Sequence, residues 1–279
     1  MIAMATADVN GISISYDDEG DRDGTAVLLV HGHPFNRSMW APQVAEFAAA
    51  GRGYRVITSD LRGYGETTVV PGTTYLEDFA RDLAALLDHL GVERVVIGGL
   101  SMGGQIVMEF YRLFPERVSG MLLADTFPRE ETAEGKAFRR ETGERLRREG
   151  MGPYTDEVIA KMVSPRNIAE QPEVAEHVLR MMRTTSPEGA AAAVVGRGER
   201  PDYCELLTQV TVPALVVVGT EDTFTPVSDA EEMHGLLPDS TLVVIERSAH
   251  MPNLEQVAEF NAALAEFLDN RVAKDAKGA

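Results

Sequence analysis

A serine becomes a nucleophile when a base takes its proton and fixed donors receive the charge that develops on the attacked group. The segment Gly99-Leu100-Ser101-Met102-Gly103 supplies a setting for such a serine. An apolar strand pattern, Val95–Gly99, feeds into it, and a helical pattern follows. A serine on so sharp a strand-to-helix turn takes strained backbone angles, and glycines two residues to either side leave room for the turn. Ser101 Oγ is then held out of the sheet at a helix N-terminus, where negative charge is favoured. The competing reading of the pentapeptide is a glycine-rich turn without chemistry.

Three further loops carry the partners such a serine needs. Val30-His31-Gly32-His33-Pro34 ends an earlier strand pattern. Acyl transfer requires two backbone N–H donors aimed at the oxyanion; the spacing assigns them to Met102, after the nucleophile, and His33, with His31 supporting the loop. His31 and His33 have no third ligand nearby in sequence, so no metal is expected. Gly219-Thr220-Glu221-Asp222-Thr223-Phe224-Thr225-Pro226 follows another strand and offers two carboxylates where α/β sheets place their sites. The turn offset favours Asp222 over Glu221. Asp125 also follows a strand and competes for the acid position, while Asp222 has a turn-forming or capping alternative. Ser248-Ala249-His250-Met251-Pro252 presents a histidine on a loop, the residue type and position that suit a general base. His89, His177 and His234 fall inside helical patterns. The chain order is Ser101, Asp222, His250.

The elements that must position these loops alternate along the chain. Strand patterns run over 8–17, Thr25–Val30, Tyr54–Ser59, Val95–Gly99 and Gly120–Ala124, with helical patterns at about 40–50, 75–90 and 102–114. Continuous β-branched runs suit strands buried on both faces of a parallel sheet, and the alternation implies an α/β fold with right-handed crossovers. From Pro128 to about Leu207 the strand signal stops. Proline-punctuated helical periodicity there reads as four or so short helices, an inserted segment over 128–207 between core segments 1–127 and 208–279. Met162, Met181 and Met182 within it could line an adaptable apolar pocket or pack as ordinary helix core. The pattern resumes with Ala214–Gly219, a helix from about Pro226 to Leu237, a strand at Thr241–Ile245 and an amphipathic helix at Leu254–Leu268. The tail after Asn270 is expected to fray.

With 279 residues, 44% of them apolar and 25% charged, the chain suits one sizeable core with an insertion. A net charge of −18 argues against nucleic-acid and anionic-membrane partners. The basic cluster of Arg139, Arg140, Arg145, Arg147 and Arg148 alternates with Glu141, Glu144 and Glu149 and reads as a solvated helix face. The single cysteine, Cys204, forbids an internal disulfide and reads as a small buried apolar residue. Met1–Gly11 lacks a leader pattern and no apolar run suits a membrane span, so a cytoplasmic protein is expected. The glycine-rich turns lack a phosphate-binding lysine or dinucleotide spacing, so no cofactor is expected.

Together these motifs resemble the α/β-hydrolase superfamily across nearly the full length, most weakly in the insertion, which corresponds to the family's variable cap. Asp60-Leu61-Arg62-Gly63-Tyr64-Gly65 is similar to a structural loop of the family. The small bacterial esterases, cofactor-free haloperoxidases and 3-oxoadipate enol-lactonases are the most similar branches. The resemblance implies a mostly parallel central sheet flanked by helices, a triad of Ser101, Asp222 and His250, and oxyanion donors at the His33 and Met102 amides. Serine at position 101 argues against epoxide hydrolases and haloalkane dehalogenases, which carry aspartate there. The expected activity is hydrolysis of a small-molecule ester or lactone through an acyl-enzyme on Ser101. Carbon–carbon hydrolysis or perhydrolysis on the same triad, and a non-catalytic small-ligand receptor, are the alternatives.

Overall fold

The structure, a computed structural model, describes residues 5–272. The chain begins with an antiparallel pair, β1 (Ala5–Val9) and β2 (Ile12–Gly20). The run 8–17 is therefore not one strand. Asn10 and Gly11 both have positive φ, 48° and 78°, the geometry of the two-residue hairpin turn that Asn-Gly favours.

There follow β3 (Thr25–Val30), α1 (Ala41–Phe47), β4 (Tyr54–Ser59), α2 (Leu76–His89), β5 (Val95–Leu100), α3 (Met102–Leu113) and β6 (Val118–Ala124). After the insertion come β7 (Ala214–Gly219), α10 (Val227–Leu236), β8 (Ser240–Ile245), α11 (Pro252–Glu255) and α12 (Val257–Phe267). The helix expected over Leu254–Leu268 is thus divided at Gln256, whose φ of −135° and ψ of 62° break the helical ladder. A short π-helical turn, Leu268–Val272, ends the described chain; Lys274, Asp275, Lys277 and Gly278 of the expected tail lie outside it.

The eight strands form one sheet in the order β1-β2-β4-β3-β5-β6-β7-β8. β2 pairs with β4 antiparallel, and from β4 onward every pairing is parallel. Every residue of β4, β5 and β7 is buried, because helices cover both faces. Successive side chains point to opposite faces. Val95 and Ile97 join one core with Phe79, Leu83 and Ile106 of α2 and α3. Val96 and Leu100 join the other, with Phe47 of α1 and Phe260 and Leu264 of α12. Each large apolar side chain moved from water into these cores contributes on the order of 1.5–3 kcal/mol.

Between β6 and β7 lie α4 (Ala133–Glu149), α5 (Met151–Met162), α6 (Pro165–Glu170), α7 (Pro172–Thr184), α8 (Pro187–Arg197) and the short α9 (Cys204–Thr208). Pro165, Pro172 and Pro187 are first residues of helices, where a missing N–H costs nothing. The hydroxyls of Ser164 and Ser186 cap two of those helices by accepting from the N–H three residues on. The insertion docks on the sheet domain at close range: a Cβ at Gly189 of α8 would lie 1.9 Å from the Gly63 carbonyl oxygen. Among the described residues no helix is long and apolar enough to cross a membrane.

Candidate active site

The loops that carry the candidate residues emerge together at the C-terminal edge of the sheet. Ser101 joins β5 to α3 with φ 59° and ψ −118°, a conformation that costs a non-glycine residue on the order of 1–3 kcal/mol. Neighbouring elements impose it: Ser101 N–H donates to the Ala124 carbonyl at 2.9 Å, and Thr126 Oγ1 donates to the Ser101 carbonyl at 2.8 Å. The flanking glycines are required by contact. A Cβ at Gly99 would lie 2.3 Å from the Gly103 carbonyl, and one at Gly103 would lie 2.3 Å from the Val30 oxygen. Met102 is the first residue of α3, so its N–H has no partner within the helix. Neither that N–H nor the His33 N–H makes a hydrogen bond among the described residues.

The imidazole of His250 meets the carboxylate of Asp222, with Nδ1 2.7 Å from Oδ2. Asp222 also accepts the Phe224 N–H at 2.8 Å and the Thr225 hydroxyl. The turn-forming bonds and the contact with the imidazole thus coexist in one side chain. Burial raises the Asp222 pKa, but the charge of His250 and these hydrogen bonds outweigh it and hold the group below the usual carboxylate range. Glu221 instead reaches Arg166, 3.6 Å away at the surface. Asp125 lies behind Asp222, within 4.8 Å, but does not hold the imidazole. Ser101 and His250 line one cavity of about 270 Å³. Neither Ser101 Oγ nor His250 Nε2 makes a hydrogen bond among the described residues. Such contacts commonly tighten only with substrate bound.

The two early histidines are neutral. His31 donates from Nδ1 to the Gly32 carbonyl and accepts the Leu61 N–H on Nε2, both at 2.9 Å, which ties the β3 loop to the β4 loop. Burial pushes its pKa down to about 4. His33 lies at the cavity wall with Nδ1 2.7 Å from the Tyr64 hydroxyl and Nε2 unpartnered. Burial, then the charges of Arg197 and Arg139, push it down to about 3. Asp125, Asp222 and His250 could together offer metal ligands by distance. However, the His250 Nδ1 and Asp222 Oδ2 atoms are already each other's partners.

Sequence reasoning missed three contributors. Glu255 of α11, fully enclosed, accepts the Ala249 N–H at 2.9 Å and the Met251 N–H at 3.3 Å on one oxygen, and so fixes both neighbours of His250. Its other oxygen accepts the Ser164 N–H and Asn167 Nδ2, each at 2.8 Å, from the insertion. Arg139 and Arg197 line the cavity wall formed by α4 and α8. Arg139 is the exception to the solvated-face reading: Arg145, Arg147 and Arg148 do pair with surface glutamates, but Arg139 turns inward onto Glu131. Of the three methionines, Met162 lines the cavity, whereas Met181 and Met182 pack in the core. Cys204 is only partly buried, and burial and Asp202 push its thiol up to about 11, which leaves little thiolate. A larger open groove beside Arg37 is lined by groups already paired, among them Arg37 with Asp17 and Asp60, and lies away from Ser101.

A family profile described as alpha/beta hydrolase fold matches residues 25–257. The chain is 29% identical over 259 residues to a 3-oxoadipate enol-lactonase 2 of Acinetobacter baylyi, covering 93% of this chain and 94% of that one. A thermophilic esterase of Thermogutta terrifontis, solved with malate bound, is 39% identical and superposes with a TM-score of 0.91 over 95% of this chain and 98% of that one. An enol-lactonase of Burkholderia xenovorans is 26% identical with a TM-score of 0.88, covering 95% and 100%. With its sheet order, its strained serine between β5 and α3 and the profile match across the fold, the chain belongs to the α/β-hydrolase family.

Proposed function

We propose that this protein is a serine hydrolase that cleaves a carboxylic ester or lactone of a small molecule through an acyl-enzyme on Ser101. The observation that carries the reading is the 2.7 Å hydrogen bond from His250 to Asp222 at the cavity into which Ser101 faces. His250 Nε2 takes the Ser101 proton as Oγ attacks the carbonyl carbon. The His33 and Met102 amides receive the oxyanion. His250 then gives the proton to the leaving alkoxide, and later takes one from the water that releases the acid. Asp222 holds the imidazole in the tautomer with hydrogen on Nδ1 and stabilises the imidazolium that forms. The insertion over 128–207 acts as a cap on a core of 1–127 and 208–279. The naming of relatives as esterase and enol-lactonases supports the ester or lactone as substrate class. The small cavity supports a small-molecule substrate, cleaved with water, and the lone cysteine suits a cytoplasmic setting.

Labelling with a fluorophosphonate probe and peptide mass spectrometry tests the reading. The expected result is an adduct on Ser101 that is lost in His250→Ala, with ester hydrolysis falling by several orders of magnitude in Ser101→Ala. A folded protein that hydrolyses esters equally well as Ser101→Ala would overturn it.

A further inference from the structure

We propose that the substrate carries, besides its ester or lactone, an ionised carboxylate that binds the guanidinium of Arg197, with Arg139 beside it. This rests on the serine-hydrolase reading and names the chemical class that the cavity selects.

The cavity walls are unequal in charge. On the wall formed by the insertion, Arg139 of α4, Arg197 at the end of α8 and Arg200 just after it stand around one carboxylate, Glu131. Glu131 pairs with Arg139 and, at 3.4 Å, with Arg200. Arg197 pairs with no carboxylate among the described residues. Among the described residues its one side-chain bond runs from Nε to the Gln105 amide oxygen at 2.6 Å, so the terminal nitrogens of this cavity-lining residue have no protein partner there. Gln105 is fully buried one turn after Ser101, and its N–H donates to the Ser101 carbonyl at 3.2 Å. The unpaired guanidinium is therefore anchored to the first turn of the nucleophile helix. Arg197 and His33 line the same cavity.

An enclosed cation without a counter-ion is costly. Burial and the charges of Arg139 and Arg200 lower the Arg197 pKa well below its ordinary value. Packing does not require that cost, because the lining beside it is ordinary: Val194, Tyr154 and Phe127. A carboxylate entering the cavity would supply the missing counter-charge. The guanidinium of Arg197 suits a carboxylate, which accepts paired N–H donors, with Arg139 beside it held on Glu131. The overall charge of −18 makes the contrast sharper, because the protein's field as a whole repels the anion that this wall receives. Selection here is then made by local contact rather than by long-range steering.

The test compares matched esters that differ by one carboxylate. Monoethyl succinate against ethyl butyrate places the charge on the acyl side; 4-acetoxybenzoate against phenyl acetate places it on the alcohol side. In the wild-type enzyme the acidic member of at least one pair should have a kcat/KM about tenfold or more above its neutral partner. That ratio should fall toward one in Arg197→Gln and be partly kept in Arg197→Lys. Succinate, but not succinamide, should compete with phenyl acetate, less so as salt is raised. The wild-type ratios and the competition need no variant, so a misfolded Arg197→Gln does not blunt the test. Ratios near or below one in both pairs, with no competition by succinate, would overturn the inference, and a fluorophosphonate adduct on Ser101 in the same sample would leave the hydrolase reading standing. Absence of both adduct and turnover in folded protein would defeat that reading and the inference with it.

Discussion

Asp125 and Asp222 bring carboxylate oxygens within 4.8 Å of each other in the interior, and only Asp222 holds His250. Asp125 accepts the Gly219 N–H at 3.0 Å on Oδ1, and its Oδ2 has no hydrogen-bond partner among the described residues. Two adjacent buried carboxyls do not both ionise readily. Burial first, then the charge of Asp222, raises the Asp125 pKa well above the usual range, while His250 keeps Asp222 low. Of the two carboxyls Asp125 is thus the one that holds a proton more readily, and Asp222, kept low, faces the imidazole.

This division of roles predicts opposite outcomes for two similar substitutions. Asp222→Asn should lower kcat by about 10³–10⁴, because the amide favours the wrong imidazole tautomer. Asp125→Asn keeps an acceptor for Gly219 and a neutral neighbour for Asp222, so kcat should stay within about threefold. The sign of its stability effect also follows. A carboxyl with a raised folded pKa loses stability as pH rises above the unfolded value of 3.8. The melting temperature of Asp125→Asn should accordingly exceed that of wild type by more at pH 7 than at pH 4.5. Equal rate losses in the two variants would mean that the acid role is shared.

The buried histidines predict the opposite slope at acid pH. His31 and His33 fall from an ordinary 6.5 to about 4 and about 3 in the fold. A histidine with a depressed folded pKa contributes stability that is present above the unfolded value and is lost as pH falls below it. Between pH 6.5 and about 4, each should cost about 1.4 kcal/mol per pH unit. Urea unfolding across this window measures the slope. His31→Gln retains an acceptor for Leu61 N–H and should flatten the slope by one histidine's share; an unchanged slope would show that His31 does not resist protonation.

Glu255 predicts a link between insertion and catalysis. One of its oxygens holds the N–H groups on either side of His250, and the other holds Ser164 and Asn167 at the start of α6. In Glu255→Gln one oxygen becomes an NH₂ that faces donors. The variant should lose roughly 2–3 kcal/mol of stability. Below its melting temperature, kcat should fall about tenfold or more with a smaller change in KM, since the base is displaced rather than the cavity. An unaltered kcat in a destabilised variant would make Glu255 a purely structural group.

The legibility of this site divides by distance along the chain. The strained turn at Ser101, the His33 loop and the loops of Asp222 and His250 are each contiguous, and each holds its proposed group within about five residues, so a linear reading singles them out. The Asn10-Gly11 turn was equally local, yet the alternation only slips by one residue there, from Val9 to Ile12, and the two strands read as one run. Glu255 and Gln256 sit in a stretch whose apolar spacing suits one helix, and only the bond from Glu255 to the His250 loop and the extended Gln256 reveal the division. Arg139 was illegible for another reason. Its neighbours Arg140, Arg145, Arg147 and Arg148 share its charge pattern, and what distinguishes it is a contact with Glu131 and a cavity assembled from several elements. Charge patterning along one helix cannot report a wall that exists only in three dimensions.

Met162 connects the insertion to substrate length. It is 3% exposed, ends α5, packs with the apolar core that holds Val178 and Met182, and presents a surface to the cavity beside Ser101 and His250. A cavity of about 270 Å³ admits a short ester with little room beyond it. Met162→Ala removes the flexible end of the side chain at the cavity wall. The protein should lose about 2–4 kcal/mol of stability, less if α5 settles inward. The enlarged cavity should shift preference among unbranched neutral esters: kcat/KM for ethyl hexanoate relative to ethyl acetate should rise by roughly tenfold, since each added methylene that finds an apolar wall gains about 0.8 kcal/mol. Chain-length profiles of both proteins, taken well below either melting temperature, measure this. A profile that keeps its maximum and its slope in Met162→Ala would mean that the acyl or alcohol chain leaves the site past a different wall.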